Sequence, residues 1–336
     1  MLVKIGLIGA GFMGGMHAAC YEALLQSHDF KLTAVADDNL RKAEEVAAKF
    51  GAQAFGSAAE LLENGDVTAV DICLPTFLHA ETAITAMNRG LDVFIEKPVC
   101  LNEEEAERLL QTQYRTGVKV MVGQVIRFWP EYVELKALAD SGAYGKIVSA
   151  VFSRVSPKPD WAWQGWLDDP AKSGSAALDL HIHDVDFIRY LLGDPQNIRS
   201  MAVSEGGAKN HIFSLYEYPD AIVSLEGGWD YPASFPFEMA YRVKFERATV
   251  VFSSAKQPTF SIYEENGAVI EKSLELDVGK AGGGGNISSL GGYYSELRYF
   301  VDRLLHNEPI ANSTLQDGCD SLKLTLREIA IAESAS

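Results

Sequence analysis

The sequence has few cysteines, no long apolar run and too little positive charge to balance its acids, and each shortage excludes a class of protein. Its four cysteines are too widely spaced for a disulfide framework or a zinc site. No apolar run reaches the ~18 residues that a membrane-spanning helix needs. The chain has 29 lysines and arginines against 46 acidic residues, and an acidic surface repels phosphate backbones. We therefore expect neither a membrane nor a nucleic acid as partner.

What the chain does have is the length and composition of a two-domain globular protein. It has 336 residues, of which 47% are hydrophobic and 22% charged. The N-terminus leads directly into a strand, Val3–Ile8, and shows no basic segment followed by an apolar core, which predicts a cytoplasmic protein. We expect domains at 1–122 and 123–336, with the last helix free to pack back on the first domain.

The two predicted domains differ in their hydrophobic pattern. Up to residue 122, short apolar strands alternate with helical segments, which indicates α/β architecture with a doubly wound parallel sheet. After residue 122, most strands alternate apolar with polar residues and are joined by turns such as Asn266-Gly267, which indicates a large, mostly antiparallel sheet. Few helices remain to cover that sheet, so we expect two or four copies of the chain to associate through its bare face.

A glycine fingerprint follows the first strand. Gly9, Gly11 and Gly14, with Phe12 and Met13 between the last two, form G-x-G-x-x-G where a strand gives way to a helix. The first glycine permits a tight turn, the second lets a pyrophosphate approach the backbone, and the third lets helix and strand pack closely. The alternative is a glycine turn without a ligand, but the strand–helix context favours a dinucleotide site.

The residue after the second strand indicates which dinucleotide. Asp37 lies about 20 residues beyond the fingerprint, where a carboxylate accepts hydrogen bonds from the ribose hydroxyls of NAD and repels the 2′-phosphate of NADP. Arg41 could still reach a phosphate, so the use of NADP remains open. The alternative for Asp37 is a solvated turn residue.

Two further strand ends carry candidate residues, since ligands bind at the carboxyl edge of such sheets. Leu74, Pro75, Thr76 and His79 follow one strand, and His79 is either a cofactor contact or an ordinary helix residue. The next strand ends in Glu96-Lys97-Pro98, where Lys97 is either a rim charge or an active-site cation. An X-Pro bond there can be cis.

A candidate proton acceptor lies on a predicted helix over 176–192. Asp179 and His183 are spaced i, i+4, so the carboxylate could hold the imidazole and raise its basicity. Removal of a hydride from a carbinol needs a base for the hydroxyl proton, and histidine suits that role. The alternative is an exposed ion pair. His181 diverges from His183 on a helix, so we expect no metal site.

Tryptophans precede this helix in a proline-containing loop. Trp163 and Trp166 could stack on the C–H face of a sugar, or they could anchor the loop as buried indoles.

Taken together, these motifs resemble the glucose–fructose oxidoreductase / inositol dehydrogenase (Gfo/Idh/MocA) family over nearly the whole chain. The resemblance includes the 123–130 stretch and Tyr293 in a late helix. It implies a Rossmann domain that binds NAD, with Glu96 and Gln124 among its cofactor contacts. It further implies an active site in which Lys97 binds the reacting hydroxyl, His183 accepts its proton and Asp179 orients His183. Arg127, Trp163, Trp166 and Tyr293 would contact the substrate.

The resemblance predicts a dehydrogenase acting on a hydroxyl of a sugar, inositol or related polyol. One alternative is an enzyme that retains NAD and uses transient oxidation for elimination or glycoside cleavage. Another is a regulator that binds NAD without catalysis, although a sensor has no need of a proton acceptor. The sequence contains one departure, because His181 stands where many members have glycine.

Overall fold

The computed structural model describes residues 2–160, 162–274 and 290–334. The sequence also predicts a flexible loop at Gly282–Gly285, a strand over 268–276 and a third tryptophan, Trp161, in the loop of Trp163 and Trp166. The loop, Trp161 and the last two residues of that strand lie outside the described residues. The chain divides into two compact units. The first comprises the described residues of 1–125, 161–166 and 278–322, and the second those of 126–160, 167–277 and 323–336. No helix in these described ranges combines the length and apolar character that a bilayer span requires.

The first unit contains a six-stranded, fully parallel sheet, as predicted. Its strands are β1 (Val3–Ile8), β2 (Phe30–Ala36), β3 (Gln53–Phe55), β4 (Ala69–Ile72), β5 (Asp92–Glu96) and β6 (Val120–Gly123). They lie in the order β3-β2-β1-β4-β5-β6, so the direction of winding reverses between β1 and β4. Ligands bind at this kind of switch point, outside the carboxyl ends of the strands.

Helices connect these strands. They are α1 (Phe12–Leu24), α2 (Leu40–Phe50), α3 (Ala58–Asn64), α4 (His79–Asn88) and α5 (Glu103–Thr116). Helix α5 shows how the sequence sets its limits. The side chain of Asn102 accepts a hydrogen bond from the Glu105 N–H at the start, three acidic residues occupy the first turn, and Gly117 ends the helix in the left-handed conformation.

Strand β3 and helix α3 were not predicted, although α3 carries a recognisable signal. Ser57 caps its first turn by accepting from the Glu60 N–H, and the Glu60 carboxylate accepts from the N–H of Gly56. This S-x-x-E arrangement is close to a capping box, which marks a helix start in sequence. Strand β3 has only three residues, of which Phe55 alone is buried, so its hydrophobic pattern is too short to recognise.

The second unit contains an eight-stranded sheet. Its strands are β7 (Ile147–Pro157), β8 (Asn197–Glu205), β9 (Ala208–Glu217), β10 (Ile222–Tyr231), β11 (Glu238–Phe245), β12 (Ala248–Ser253), β13 (Phe260–Glu264) and β14 (Val269–Lys272). The order is β14-β13-β12-β11-β7-β10-β9-β8, and every neighbouring pair is antiparallel except β7 with β10. The predicted mostly antiparallel sheet is therefore confirmed.

The prediction of one continuous helix over 176–192 is wrong. Helices α6 (Pro130–Ser141) and α7 (Pro170–Ser173) precede two separate segments, α8 (Ser175–Asp179) and α9 (Ile182–Leu192). The His181 N–H bonds to the Ala176 carbonyl oxygen, five residues back instead of four, at 3.0 Å. Asp179 and His183 therefore belong to two helical segments joined by this wider turn, and not to one regular helix as predicted.

Two long helices complete the chain. Helix α10 (Gly291–Leu305) belongs to the first unit, and α11 (Leu315–Ser334) begins in the first unit and ends in the second. Before α11, the Val122 N–H donates to the Ser313 carbonyl oxygen at 2.9 Å and the Ser313 hydroxyl donates to the Val122 carbonyl oxygen at 2.6 Å. The segment before α11 thus forms hydrogen bonds with β6. A domain boundary between residues 122 and 123 stays a prediction.

Candidate dinucleotide and active site

The three fingerprint glycines serve different purposes in the structure. Gly9 has φ +99°, and a Cβ there would come within 2.5 Å of the Cys73 carbonyl oxygen. A Cβ on Gly14 would lie 1.8 Å from the Gly9 carbonyl oxygen, so both positions require glycine for packing. Around Gly11 a Cβ would meet nothing within 4 Å. The turn therefore leaves open space at the start of α1, where a pyrophosphate can approach the backbone.

The start of α1 suits an anion. Gly11 provides no side-chain cap, and the first turn, which contains the partly exposed Phe12 and Met13, has no acidic residue. A helix N-terminus presents N–H groups and a partial positive charge, so phosphate oxygens can take the place of a capping side chain.

Asp37 is tied to the same turn. Its Oδ2 accepts from the Ala10 N–H at 2.8 Å, and its Oδ1 accepts from the Asn39 N–H at 2.9 Å. The side chain is partly exposed, and each carboxylate oxygen can accept a second hydrogen bond, so the residue fits ribose hydroxyls. Arg41 is exposed and its Nε lies 3.1 Å from Glu45 Oε1, so a contact with a 2′-phosphate stays a prediction.

The segment after β4 contacts the ring of His79. This histidine is 1% exposed, and its Nδ1 and Nε2 lie 2.8 Å from the Pro98 carbonyl oxygen and 2.7 Å from that of Leu74. Burial lowers the pKa of His79, against the opposing effect of the two carbonyls. Pro75 is partly exposed and Thr76 is buried. The predicted direct contact of His79 with a cofactor is untested, but its ring atoms already have protein partners.

Lys97 directly follows β5. It is partly exposed, its peptide bond to Pro98 is cis, and its N–H donates to Glu96 Oε2 at 3.1 Å. The Glu96 side chain is buried, and a Cβ on Gly123 of the adjacent β6 would lie 3.2 Å from its Cδ. Glycine at 123 therefore makes room for the Glu96 carboxylate.

Gln124 offers an independent test of the cofactor assignment. It follows β6 and is fully buried, yet neither its amide nitrogen nor its amide oxygen has a hydrogen-bond partner among the described residues. A buried amide without a partner is costly, and a carboxamide or hydroxyl of a dinucleotide could satisfy it. This residue, the open turn at Gly11 and the Asp37 carboxylate all fit bound NAD.

A buried polar cluster next to these residues was not predicted from the sequence. His17 on α1 is fully buried, with Nδ1 2.8 Å from Asp71 Oδ2 and Nε2 3.1 Å from Glu96 Oε1. The hydroxyl of Tyr21 donates to Asp71 Oδ2 at 2.9 Å, and Cys73 Sγ lies 3.2 Å from His17 Nδ1. The signal was present in the sequence, because Asp71 interrupts the otherwise apolar strand β4.

The charges in this cluster shift the titration of its members. Burial is the largest influence on His17 and works against its charged form, but Asp71 and Cys73 together outweigh it and raise the pKa of His17 well above its ordinary value. Burial also raises the pKa of Tyr21 and of Cys73, and it raises the pKa of Cys20 to about 12. Burial thus favours the thiol form of Cys73, which disfavours its use as a nucleophile.

His183 lies on α9 between two buried ion pairs of the second unit. Arg154 Nε and Nη2 donate to the Asp184 carboxylate at 2.9 and 3.1 Å, and Arg127 Nε and Nη2 donate to that of Asp186 at 2.7 and 2.8 Å. His183 itself is 8% exposed. The two bidentate pairs fix the helix on either side of it. Substrate binding by Arg127 stays a prediction, and its guanidinium is buried in this pair.

His181 is packed in the interior of the second unit. It is fully buried, its Nε2 lies 3.3 Å from Glu328 Oε1, and its ring packs where Gly227 of β10 leaves room, since a Cβ there would lie 2.7 Å from it. The residue that departs from the family pattern therefore packs α8 and α9 against the sheet.

The remaining candidates are spread over the chain. Asp179 is partly exposed at the end of α8. Trp163 is exposed, Trp166 is partly exposed, and both lie in a 3-10 segment of the first unit. The Tyr293 ring lies 6.3 Å from that of His17, which places it near the buried cluster.

Comparison with known proteins agrees with this geometry. Residues 3–124 match the model of an oxidoreductase family with an NAD-binding Rossmann fold, and residues 132–267 match the C-terminal domain of the same family. The chain belongs to the GFO/IDH/MocA family. Its first unit therefore contains an NAD-binding Rossmann domain.

Individual relatives are similar over part of their length. Inositol 2-dehydrogenase of Rhizobium meliloti is 33% identical over 58% of this chain and 56% of its own length. The scyllo-inositol 2-dehydrogenase (NAD(+)) of Bacillus subtilis is 34% identical over 57% of this chain and 54% of its own. The alignments thus span little more than half of these relatives. Levoglucosan dehydrogenase, solved with NADH and levoglucosan, has a TM-score of 0.85 at 19% identity, covers 100% of this chain and 98% of its own, and shows the shared fold.

Proposed function

We propose that this protein is an NAD-dependent dehydrogenase that transfers a hydride between a hydroxyl-bearing carbon of a sugar, inositol or related polyol and nicotinamide. One observation carries the proposal: the Gly9–Gly14 turn, linked to Asp37 through the Ala10 N–H, follows β1 of the same parallel sheet in which Lys97 follows β5. The named activities of the inositol dehydrogenases and of levoglucosan dehydrogenase support a polyol or sugar as substrate.

The proposed chemistry divides between three side chains. His183 takes the proton of the substrate hydroxyl in oxidation and returns it in reduction. Lys97 donates to that oxygen and stabilises the alkoxide that develops on it. Asp179 contacts the substrate and orients His183. Bound NAD would supply the hydride acceptor, carbon 4 of the nicotinamide. Trp163, Trp166 and Tyr293 are proposed to contact the sugar.

A substrate screen tests this function. The full chain is incubated with inositols, hexoses and sugar acids, each with NAD and with NADP, and NADH formation is followed by absorbance. We expect oxidation of at least one polyol, with one NADH released per product and loss of turnover in His183→Ala. Product formation without released NADH would instead indicate that the cofactor is retained for transient oxidation. NADH binding without turnover of any substrate would support a regulator.

We also propose that the chain forms a homodimer or homotetramer through the outer face of the eight-stranded sheet. That face exposes Met201, Val203, Phe213 and Ile222, of which Met201 is 72% exposed. The register places Met201 opposite Phe213, with Val203 two residues further along β8, while Ile222 lies opposite Glu217 on the same face. Exposed apolar side chains on one face of a sheet are a common feature of association surfaces.

The association can be broken by one charge. Phe213→Glu puts a carboxylate beside Met201 on this face, whereas Tyr114→Glu changes an exposed aromatic residue on α5. We expect Phe213→Glu to shift the mass measured by light scattering towards the monomer and Tyr114→Glu to leave it at the wild-type value. A monomeric wild type would contradict the proposal.

A further inference from the structure

Two buried histidines connect the same pair of strand ends. His17 bridges Asp71 in β4 and Glu96 at the end of β5, at 2.8 and 3.1 Å. His79 bridges the carbonyl oxygens of Leu74, just past β4, and Pro98, just past β5, at 2.7 and 2.8 Å. Their exposed fractions are 0% and 1%. Each ring therefore lies between the two strands where their ligand-binding edge begins, with one nitrogen facing each strand. The Nε2 of His17 and the Oε1 of Glu96 form a charge contact, not a hydrogen bond. Burial lowers the pKa of His79, so at neutral pH its ring donates to one of the two carbonyl oxygens and packs against the other.

Lys97 is the residue enclosed by these contacts. Its preceding neighbour, Glu96, is held by His17, and its following neighbour, Pro98, is held by His79. The second oxygen of Glu96 accepts the Lys97 N–H at 3.1 Å, so the carboxylate joins the His17 ring to the lysine's own backbone. The backbone of Lys97 is thereby fixed on both sides by groups that are almost completely buried.

These contacts resist displacement of the turn because a buried polar group that loses its partner raises the free energy of the folded protein. A buried donor or acceptor that loses its partner retains the full desolvation penalty of about 1–3 kcal/mol, and more when it is charged. Moving the turn would separate the buried Glu96 carboxylate from the Lys97 N–H and from the ring of His17. The turn at Lys97 is consequently confined to a narrow range of positions.

We propose that His17 and His79 are positioning residues that hold Lys97 from its two sides, so that its ammonium group meets the reacting oxygen in one place. The inference rests on the proposed role of Lys97 and adds two residues to it. The need for such residues follows from the chemistry, since a displacement of about 1 Å at a reacting group can cost on the order of 10²-fold in rate.

The raised pKa of His17 supports this arrangement from another direction. An imidazolium donates from both nitrogens and can bind both carboxylates, whereas a neutral ring donates from only one. Asp71 and Cys73 together raise the pKa of His17 against the larger single effect of burial. The other titratable groups that face this ring are Glu96, Cys73 and Tyr21.

A metal ion is the competing explanation for the cluster, because His17, Asp71 and Cys73 offer ligand atoms within 4.8 Å of one another. The atoms are, however, at hydrogen-bond distances of 2.8 to 3.5 Å. Those distances fit direct hydrogen bonds between the groups, and a measurement of the zinc content of the wild-type protein distinguishes the two explanations.

The test compares His17→Gln and His79→Gln with His306→Gln, which changes an exposed histidine on the same unit. Lys97 is labelled in the folded protein with an amine-selective reagent. The rate of labelling is measured by peptide mass spectrometry and compared with the labelling rate of the exposed Lys49. NADH affinity is measured by fluorescence. The values of kcat and KM are measured with the substrate found in the screen. Asp71→Asn serves as a second variant of the His17 contact should His17→Gln fail to fold.

We expect the Lys97 labelling rate to change about threefold or more in both histidine variants, with Lys49 unchanged, and kcat to fall about 10- to 100-fold while NADH affinity stays within about threefold. Wild-type labelling and wild-type kcat would overturn the proposal. So would a loss of NADH affinity with unchanged Lys97 labelling, or one zinc ion per wild-type chain. Labelling needs no substrate, so it decides the question even if no polyol is oxidised.

Discussion

The two units hold their proposed catalytic residues with buried charges, but they arrange those charges differently. In the first unit, Asp71, His17 and Glu96 form a chain across three elements and meet Lys97 through its neighbours. In the second, Asp184 and Asp186 form separate arginine pairs from one helix on both sides of His183. The first arrangement depends on a titratable histidine, and the second on arginine, which stays charged at all ordinary pH values.

The largest expected effect concerns the proposed catalytic residues themselves. His183→Ala removes the proton acceptor and should lower kcat by about 10²–10⁴-fold, with NADH affinity nearly intact, because His183 belongs to the unit that lacks the Rossmann fold. Steady-state kinetics and NADH fluorescence measure the two quantities. His306→Ala is the matched control. A kcat within a few fold of wild type would remove His183 from the mechanism.

Breaking a pair on α9 should have the next largest effect, this time on stability. Asp184→Asn keeps the shape of the side chain but leaves Arg154, which is 3% exposed, without a carboxylate. The cost of removing one partner of a buried pair is about 3–5 kcal/mol of unfolding free energy. Urea unfolding measures it.

The matched control is Asp220→Asn, whose partner Lys146 is exposed, and it should leave the urea midpoint unchanged. Equal midpoints for the two variants would show that burial does not distinguish these pairs, and the comparison between the units would then lose its physical basis.

The same contrast explains what could be predicted from the sequence. The Rossmann sheet, its fingerprint and the antiparallel sheet were predictable, because hydrophobic periodicity and glycine geometry are local in sequence. The buried clusters were not, because His17 and Asp71 lie 54 residues apart and Arg154 and Asp184 lie 30 apart. The break before α9 was also missed, since it depends on His181 packing against Gly227 and Glu328 of distant elements.

A smaller effect is expected at Asp37, a partly exposed carboxylate in the same unit as the buried Asp71. Asp37→Ser should raise the KM for NAD about 10-fold or more and raise the NADP-to-NAD ratio of kcat/KM by a similar factor, because a hydrogen bond to a charged group contributes about 1.5–3 kcal/mol. Kinetics with both cofactors measure this. Asp38→Ser, at the exposed neighbour, should leave the ratio near wild type. An unchanged ratio in Asp37→Ser would mean that another residue selects the cofactor.

The smallest expected effect tests the difference between the units most directly, through pH. The folded-state pKa of His17 is raised above its ordinary value of 6.5, so its contribution to stability is complete below about pH 6.5 and is lost as pH rises through the folded pKa. The difference in unfolding free energy between wild type and His17→Gln should therefore shrink as pH increases from about 6 to about 8. The difference between wild type and Asp184→Asn should stay constant, because the arginine does not titrate. Urea unfolding across this pH range measures both. Cys20 and Cys73 have an ordinary pKa of 9.0 and Tyr21 one of 10.0, so the two differences are compared below about pH 8, where these groups contribute little. Two parallel curves would mean that His17 is not charged in the folded protein, and the chain of charges beneath Lys97 would have to be neutral.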